Sequence, residues 1–375
     1  MKSIHFKIIL LLVLLLGCNN NFKDAHKNSF DDMQNGIDRI DTHFLIDEAL
    51  LNFNRGFADK NNDFKIIAYV NKFNNKNKKW ERYEELEFYY VKNGRIKSLK
   101  EKIFKEEYPN SRVKNYKYFN DILIEKLDKW GRNGYRDSSK CTFQYIDQNK
   151  LVVEKSFIAE NNKWKNSYQF NYDYDLIGRL SEILGLSWDN LNNEWRKYYK
   201  YKYNYKSNDT ITVIKFEDKN KVWKKSIKID SVFNSNGQLL KVFEYAFNDK
   251  DWTLMNYFEK TYDKKERMVS DSLYNYNTNV VGKSFYLYNF KNQLNKIKRT
   301  YYDFDDSADL KGTDKYEELY RYNNLGQILV YELKDDCRYE FLYDSKGFIE
   351  KIIRYYVRDK SQFVKDIEIS QEYYR

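Results

Sequence analysis

Residues 164–206 read WKNSYQFNYDYDLIGRLSEILGLSWDNLNNEWRKYYKYKYNYK. Between Trp195 and Lys206 one alternate set of positions carries Trp195, Tyr199, Tyr201, Tyr203 and Tyr205, interrupted by Lys197. The other set carries Arg196, Lys200, Lys202 and Lys206, interrupted by Tyr198. Trp164, Tyr168, Phe170, Tyr172 and Tyr174 alternate in the same way with Lys165, Ser167, Gln169, Asn171 and Asp173. A period of two is the signature of a β-strand with one covered face. Between the two runs, YDYDLIGRLSEI at 172–183 sets an Asp and a Gly where a tight hairpin needs a positive φ.

The same turn recurs along the chain. Copies are FNSNGQLLKV at 233–242, YNNLGQILVY at 322–331, YDSKGFIEKI at 343–352 and YVKNGRIKSL at 90–99. YDKKERMVSD at 262–271 and YNFKNQLNKI at 288–297 are degenerate copies. A second marker, a polar Asn/Lys-rich segment ending in Trp, lies between them. It places Trp164, Trp195, Trp223 and Trp252 at intervals of 31, 28 and 29 residues. Two markers with one period define a hairpin repeat of about 28 residues, or two strands of roughly ten residues each. The chain is therefore expected to be all-β, an antiparallel meander of about 22 strands. Open sheets of that size curl, so a spiral ribbon is the expected form, with a closed soluble barrel as the alternative.

Composition narrows the class. The 375 residues include 36 Tyr, 25 Phe and 7 Trp against a single Pro, which argues against general disorder. A formal net charge of +10, with both signs interspersed, and a mean hydropathy of −0.87 exclude a polytopic helical membrane protein. A membrane β-barrel is disfavoured because the non-aromatic positions are Lys, Glu, Asp and Asn. Each Lys facing lipid near the midplane costs roughly 2–4 kcal/mol.

The recurring Tyr-Asp/Asn-x-x-Gly-Arg/Gln-Leu/Ile resembles the YD repeats of Rhs-type proteins over most of residues 80–360. That resemblance implies hairpin ribbons that curl into a shell. The strand expected at about 363–374 leaves no cargo domain after it, so the toxin-enclosing role of the large members is not expected here. At the other end, Lys2, His5 and Lys7 precede the apolar run Ile8–Leu16, a pattern of secretory signals. Leu15-Leu16-Gly17-Cys18 resembles the lipobox of bacterial lipoproteins. The resemblance implies cleavage before Cys18, its acylation and, with Asn19 following, an outer-membrane destination. The expected organisation is a signal peptide at 1–17, a polar tether at 18–36, an N-terminal cap at 37–62 and the hairpin repeat domain at 63–375.

Little in the repeats points to chemistry. His5, His26 and His43 all precede them, so no imidazole is present for Ser-His-Asp catalysis or a His-based zinc site. Cys141 and Cys337 are read as small, at least partly covered residues. Asp303, Asp305, Ser307 and Asp309 have the alternating oxygens of a calcium loop, but Ala308 replaces its Gly and no calcium requirement is expected. No catalytic residue, metal or cofactor is assigned. The function expected is a non-enzymatic envelope lipoprotein, a binding or structural scaffold for a glycan or a protein partner and not for nucleic acid. The alternative is a carbohydrate-active enzyme using paired carboxylates. Trp164, Trp195, Trp223 and Trp252 are the candidate ligand-binding residues, each near a Lys that suits an acidic glycan.

Overall fold

The computed structural model describes residues 64–374, apart from the turn segments 75–78, 92–94, 105–109, 121, 133–136, 148–149, 162, 208, 277, 305–309, 335, 346, 348 and 358–362. The expected signal peptide, Cys18, the tether, the cap and the acidic run 305–309 lie outside the described residues.

Among the described residues every regular element is a strand. The first eight are β1 (Phe64–Asn74), β2 (Lys79–Val91), β3 (Arg95–Ile103), β4 (Asn110–Phe119), β5 (Ile122–Arg132), β6 (Asp137–Tyr145), β7 (Leu151–Glu160) and β8 (Lys163–Tyr174). There follow β9 (Leu180–Asp189), β10 (Glu194–Ser207), β11 (Thr210–Lys219), β12 (Val222–Phe233), β13 (Leu239–Phe247), β14 (Trp252–Tyr262) and β15 (Met268–Asn275). The last are β16 (Val280–Tyr288), β17 (Leu294–Phe304), β18 (Leu310–Tyr322), β19 (Ile328–Leu333), β20 (Cys337–Tyr343), β21 (Ile349–Val357) and β22 (Phe363–Tyr374).

Each strand pairs antiparallel with its neighbours in sequence, and β1 also pairs with β22, from Lys65 opposite Tyr374 to Lys72 opposite Ile367. That ladder closes the sheet into a barrel of 22 strands and corrects the spiral ribbon in favour of the closed form. Closure leaves no unpaired edge, which removes the hazard of a long exposed edge strand.

The register runs consistently round the ring. Tyr203 on β10 faces Val213 on β11, which faces Ile229 on β12, which faces Glu244 on β13. The same parity contains Ile352, Ile369, Ala68 and Val70, Leu86 and Phe88, and most of the other buried side chains. A closed single layer encloses only its concave side, so this parity lines the interior. Burial is tightest near the closing ladder, where Ile66 and Ala68 are 0 % exposed. The opposite parity carries ion pairs such as Lys65–Glu87, Lys241–Glu259, Lys296–Glu317 and Lys351–Glu368. It faces outward, and exposed pairs of this kind contribute little to stability but keep the wall hydrated.

The even-to-odd turns form one rim, built on the Tyr-Asp/Asn motif. Asp175 Oδ1 accepts the amides of Ile177 and Arg179, and Asn323 Oδ1 those of Leu325 and Gln327. These are Asx turns, in which the side chain takes the place of a backbone acceptor. The left-handed position is Gly178, Gly237, Gly326 or Gly347 in four turns, and Glu266 and Asn292 in the degenerate ones. The residue after it is matched to the first. Asp175 pairs with Arg179 and Asp263 with Arg267, whereas Asn234, Asn289 and Asn323 pair with Gln238, Gln293 and Gln327. A Tyr near the end of the strand entering this rim stitches that strand to the one before it. Tyr174, Tyr205, Tyr262, Tyr288 and Tyr322 donate to the carbonyls of Leu151, Leu180, Leu239, Met268 and Leu294.

Candidate functional site

All seven tryptophans lie at the other rim, where odd strands turn into even ones. Trp80, Trp164, Trp195, Trp223 and Trp252 begin even strands, while Trp130 and Trp188 lie near the ends of β5 and β9. The structure thus gathers the four candidate residues along one edge, and sets Trp80 and Trp188 with them.

Each of these even strands carries a β-bulge three residues after its Trp. The ladder passes over Ser167 on β8, Tyr198 on β10, Ser226 on β12 and Met255 on β14. An inserted residue reverses the alternation beyond it. Trp195 therefore lies on the face opposite the Tyr199–Tyr205 stripe, correcting the single aromatic face expected from the sequence. The tyrosines point inward, and burial pushes the Tyr199 phenol up to about 12. Trp80, Trp164, Trp188, Trp195, Trp223 and Trp252 point outward with Lys200 and Lys202, whereas Trp130 shares the inner parity of Asp128.

A repeated arrangement covers the outward tryptophans. A Lys two strands earlier reaches across the intervening strand to the indole. Lys140 on β6 lies 5.0 Å from the ring centroids of both Phe157 on β7 and Trp164 on β8. Lys200 on β10 lies 5.3 Å from Phe216 and 4.7 Å from Trp223. Lys228 on β12 lies 3.8 Å from Tyr245 and 5.7 Å from Trp252. Across the closing ladder, Lys365 on β22 lies 4.8 Å from Trp80 on β2. Trp195 instead meets Trp188 edge to face, with centroids 5.0 Å apart. Lys140, Lys200 and Lys228 stand on β6, β10 and β12, four strands and then two strands apart, or about 20 Å and then about 10 Å. The ring quadrupole holds each ammonium in place, so the edge presents a spaced row of fixed cations on aromatic supports. Trp164 is 42 % exposed and Trp80 40 %, while Trp195, Trp223 and Trp252 are half-buried.

The sequence reading missed the cationic partners because they come from strands about 25 residues away. Lys165 beside Trp164 pairs with Glu160 instead. At the β9–β10 turn, Asn192 and then the Leu191 amide hold the Asp189 carboxyl below its ordinary range, and Arg196 adds an ion pair.

Inside the barrel several polar groups are paired, while the buried Tyr203 hydroxyl has no hydrogen-bond partner among the described residues. Arg112 binds Asp128 through two hydrogen bonds, and Arg299 binds Glu318 at 2.7 Å. Burial raises the Glu154 carboxyl despite a 3.2 Å bond from the Tyr172 hydroxyl. Cys141 and Cys337 are half-buried thiols on β6 and β20, and burial raises the Cys141 thiol.

No family model matches the chain, and no curated protein matches it. Among solved structures, a protein of unknown function from Bacteroides fragilis is similar over 32 % of this chain and 91 % of its own, at 15 % identity and a TM-score of 0.30. A porin-like protein from Bacteroides uniformis is similar over 82 % of this chain and 95 % of its own, at 8 % identity and a TM-score of 0.27. The TcdB2-TccC3-Cdc42 complex contains a chain similar over 72 % of this one and 17 % of its own, at 9 % identity and a TM-score of 0.30.

Proposed function

We propose that the chain is a non-enzymatic, lipid-anchored protein of the outer membrane whose barrel stands in water and binds an acidic glycan along its tryptophan rim. The row of ammonium groups set over outward-facing indoles carries this reading. Neutral sugars stack on bare aromatic faces, whereas here Lys140, Lys200 and Lys228 already lie over the rings. A flexible polymer bearing repeated negative charges fits that row, whose cations stand about 10 Å and about 20 Å apart. The outward ion pairs support a barrel wall that faces water and not acyl chains. Attachment to the membrane is assigned to Cys18.

The test is retention of the protein on immobilised acidic and neutral polysaccharides. The acidic polymer should retain it in low salt and release it as screening increases. A Lys140→Gln, Lys200→Gln, Lys228→Gln variant should lose that retention while keeping its melting temperature within a few degrees. Equal retention by neutral polymer, or by the variant, would end the proposal.

The enzyme alternative has one observation in its favour, the raised carboxyl of Glu154. Asp128 is committed to Arg112, and the charge acting on Glu154 comes from the cation Lys126 and not from a second carboxylate. Glycan cleavage abolished by Glu154→Gln would reinstate that alternative.

A further inference from the structure

The turns at the rim opposite the tryptophans carry apolar side chains that the fold does not require. Phe119, Ile146, Leu176, Ile177, Phe290 and Leu325 are 65–106 % exposed. They lie at five even-to-odd turns, joining β4 to β5, β6 to β7, β8 to β9, β16 to β17 and β18 to β19. In the Asx turns the conformation is fixed by Asp175, Asn289 and Asn323 and by the left-handed residue, not by the tips between them. Sister turns of the same geometry have Ser235 and Asn236, or Lys264 and Lys265, at those tips. Polar residues are therefore accepted there, and the exposed Leu, Ile and Phe answer to something outside the barrel.

We propose that this rim rests on a phospholipid bilayer and that Leu176, Ile177, Phe290 and Leu325 insert into its interfacial layer. Three observations select lipid as the occupant. The tips stand on separate hairpins in two groups, on the three successive turns from β4–β5 to β8–β9 and on the two turns β16–β17 and β18–β19, with the polar turns of Asn236 and Lys265 between the groups, which suits shallow insertion of individual tips along the rim. Lys291 beside Phe290, with Lys264 and Lys265 on the intervening turn, sets cations at headgroup level. The strand direction brings the chain in at this rim, since β1 starts there at Phe64, 46 positions after Cys18. The tryptophan rim then faces away from the membrane, about one strand length off. This goes beyond the glycan reading and does not depend on it.

The test uses the full acylated chain in phosphatidylcholine–phosphatidylglycerol vesicles with brominated acyl chains, which quench only indoles in contact with lipid. The parent's own tryptophans all lie at the far rim, so its emission should be unquenched. Phe290→Trp and Leu176→Trp should each add a quenched component, and Leu191→Trp, at the far rim, an unquenched one. Circular dichroism checks that each variant is folded. Unquenched emission from Trp introduced at 290 and 176, quenching of the parent, or failure of the chain to float with the vesicles would each overturn the proposal. No polysaccharide is present, so the outcome is separate from that of the glycan test.

Discussion

Val70 lies opposite Ile369 in the ladder that joins β1 to β22, and the two side chains are 2 % and 3 % exposed. A contact between residues 299 positions apart in the chain is what turns a meander into a barrel. Directly opposed residues in an antiparallel pair have Cα atoms about 4.5–5.5 Å apart, within the span of a disulfide. Val70→Cys with Ile369→Cys, in a chain carrying Cys141→Ser and Cys337→Ser, should form an intramolecular disulfide on mild oxidation. The linked form should migrate faster on a non-reducing gel. Val213→Cys with Ile369→Cys, which pairs β11 with β22, should not. An open ribbon would give no linked species from either pair.

Gly185 lies under the ring of Tyr199, where a Cβ would come within 3.0 Å of Cε2 and Cζ. The missing side chain lets Tyr199 approach Phe170 on the far side of β9, with centroids 6.0 Å apart. Gly185→Ala should therefore lower stability by about 1–3 kcal/mol, the usual cost of overfilling a packed site. Gly312, with open space around its Cβ position, should tolerate Ala. Urea unfolding of the two variants makes the comparison, and equal midpoints would show that Tyr199 moves aside freely.

The limits of the sequence reading follow from local geometry. Alternation and Gly-centred turns are written in residue type, because a strand face and a positive φ each restrict which side chains fit. The bulges are not, since Ser167, Tyr198, Ser226 and Met255 are of three different types, and each reverses the face of a Trp three residues away. Closure was hidden for a related reason. Strands β1 and β22 have the same alternating pattern as their neighbours, and their pairing depends on curvature accumulated over the whole ring. The partnership of Lys200 with Trp223 combines both effects, since it crosses a strand and depends on a bulge.

The Asp-Arg turns predict a specific acid sensitivity. The Arg267 guanidinium holds the Asp263 carboxyl below its ordinary value of 3.8, aided by the Arg267 and Lys265 amides. A carboxylate depressed in the folded state binds fewer protons there than in the unfolded chain. Its stabilisation is complete above about pH 4 and is lost as pH falls through the folded value. Asp263→Asn with Arg267→Gln would convert this turn to the Asn-Gln type seen at Asn234 and Gln238. Melting temperatures at pH 7 should match the parent, and the decline below pH 4 should be shallower. Asp263→Asn alone, which removes the partner of Arg267, should lower the pH 7 value. A parental acid limb in the double variant would show that the ion pair is not linked to folding.

The outward position of the tryptophans predicts how their loss is felt. Ile367 is 2 % exposed on the inner face, and Ile367→Ala should cost about 2–5 kcal/mol, as buried truncations do. Trp223 is half-buried on the outer face, with one side of its ring turned to Lys200. Removing it forfeits partial burial and a cation–π contact worth about 0.5–1 kcal/mol at an exposed site. The expected loss for Trp164→Ala, Trp195→Ala, Trp223→Ala and Trp252→Ala is therefore smaller than for Ile367→Ala. Each should remain folded at 25 °C. With its indole gone, Lys200 or its counterpart is released into solvent and no longer held in the row. Retention on acidic polysaccharide should then fall in the Trp164, Trp223 and Trp252 variants, and fall further when two units are removed together, whereas Trp195→Ala, whose indole meets Trp188 and not a Lys, should keep it. Four variants that unfold as readily as Ile367→Ala would make these tryptophans structural elements of the rim and leave the lysine row without a binding role.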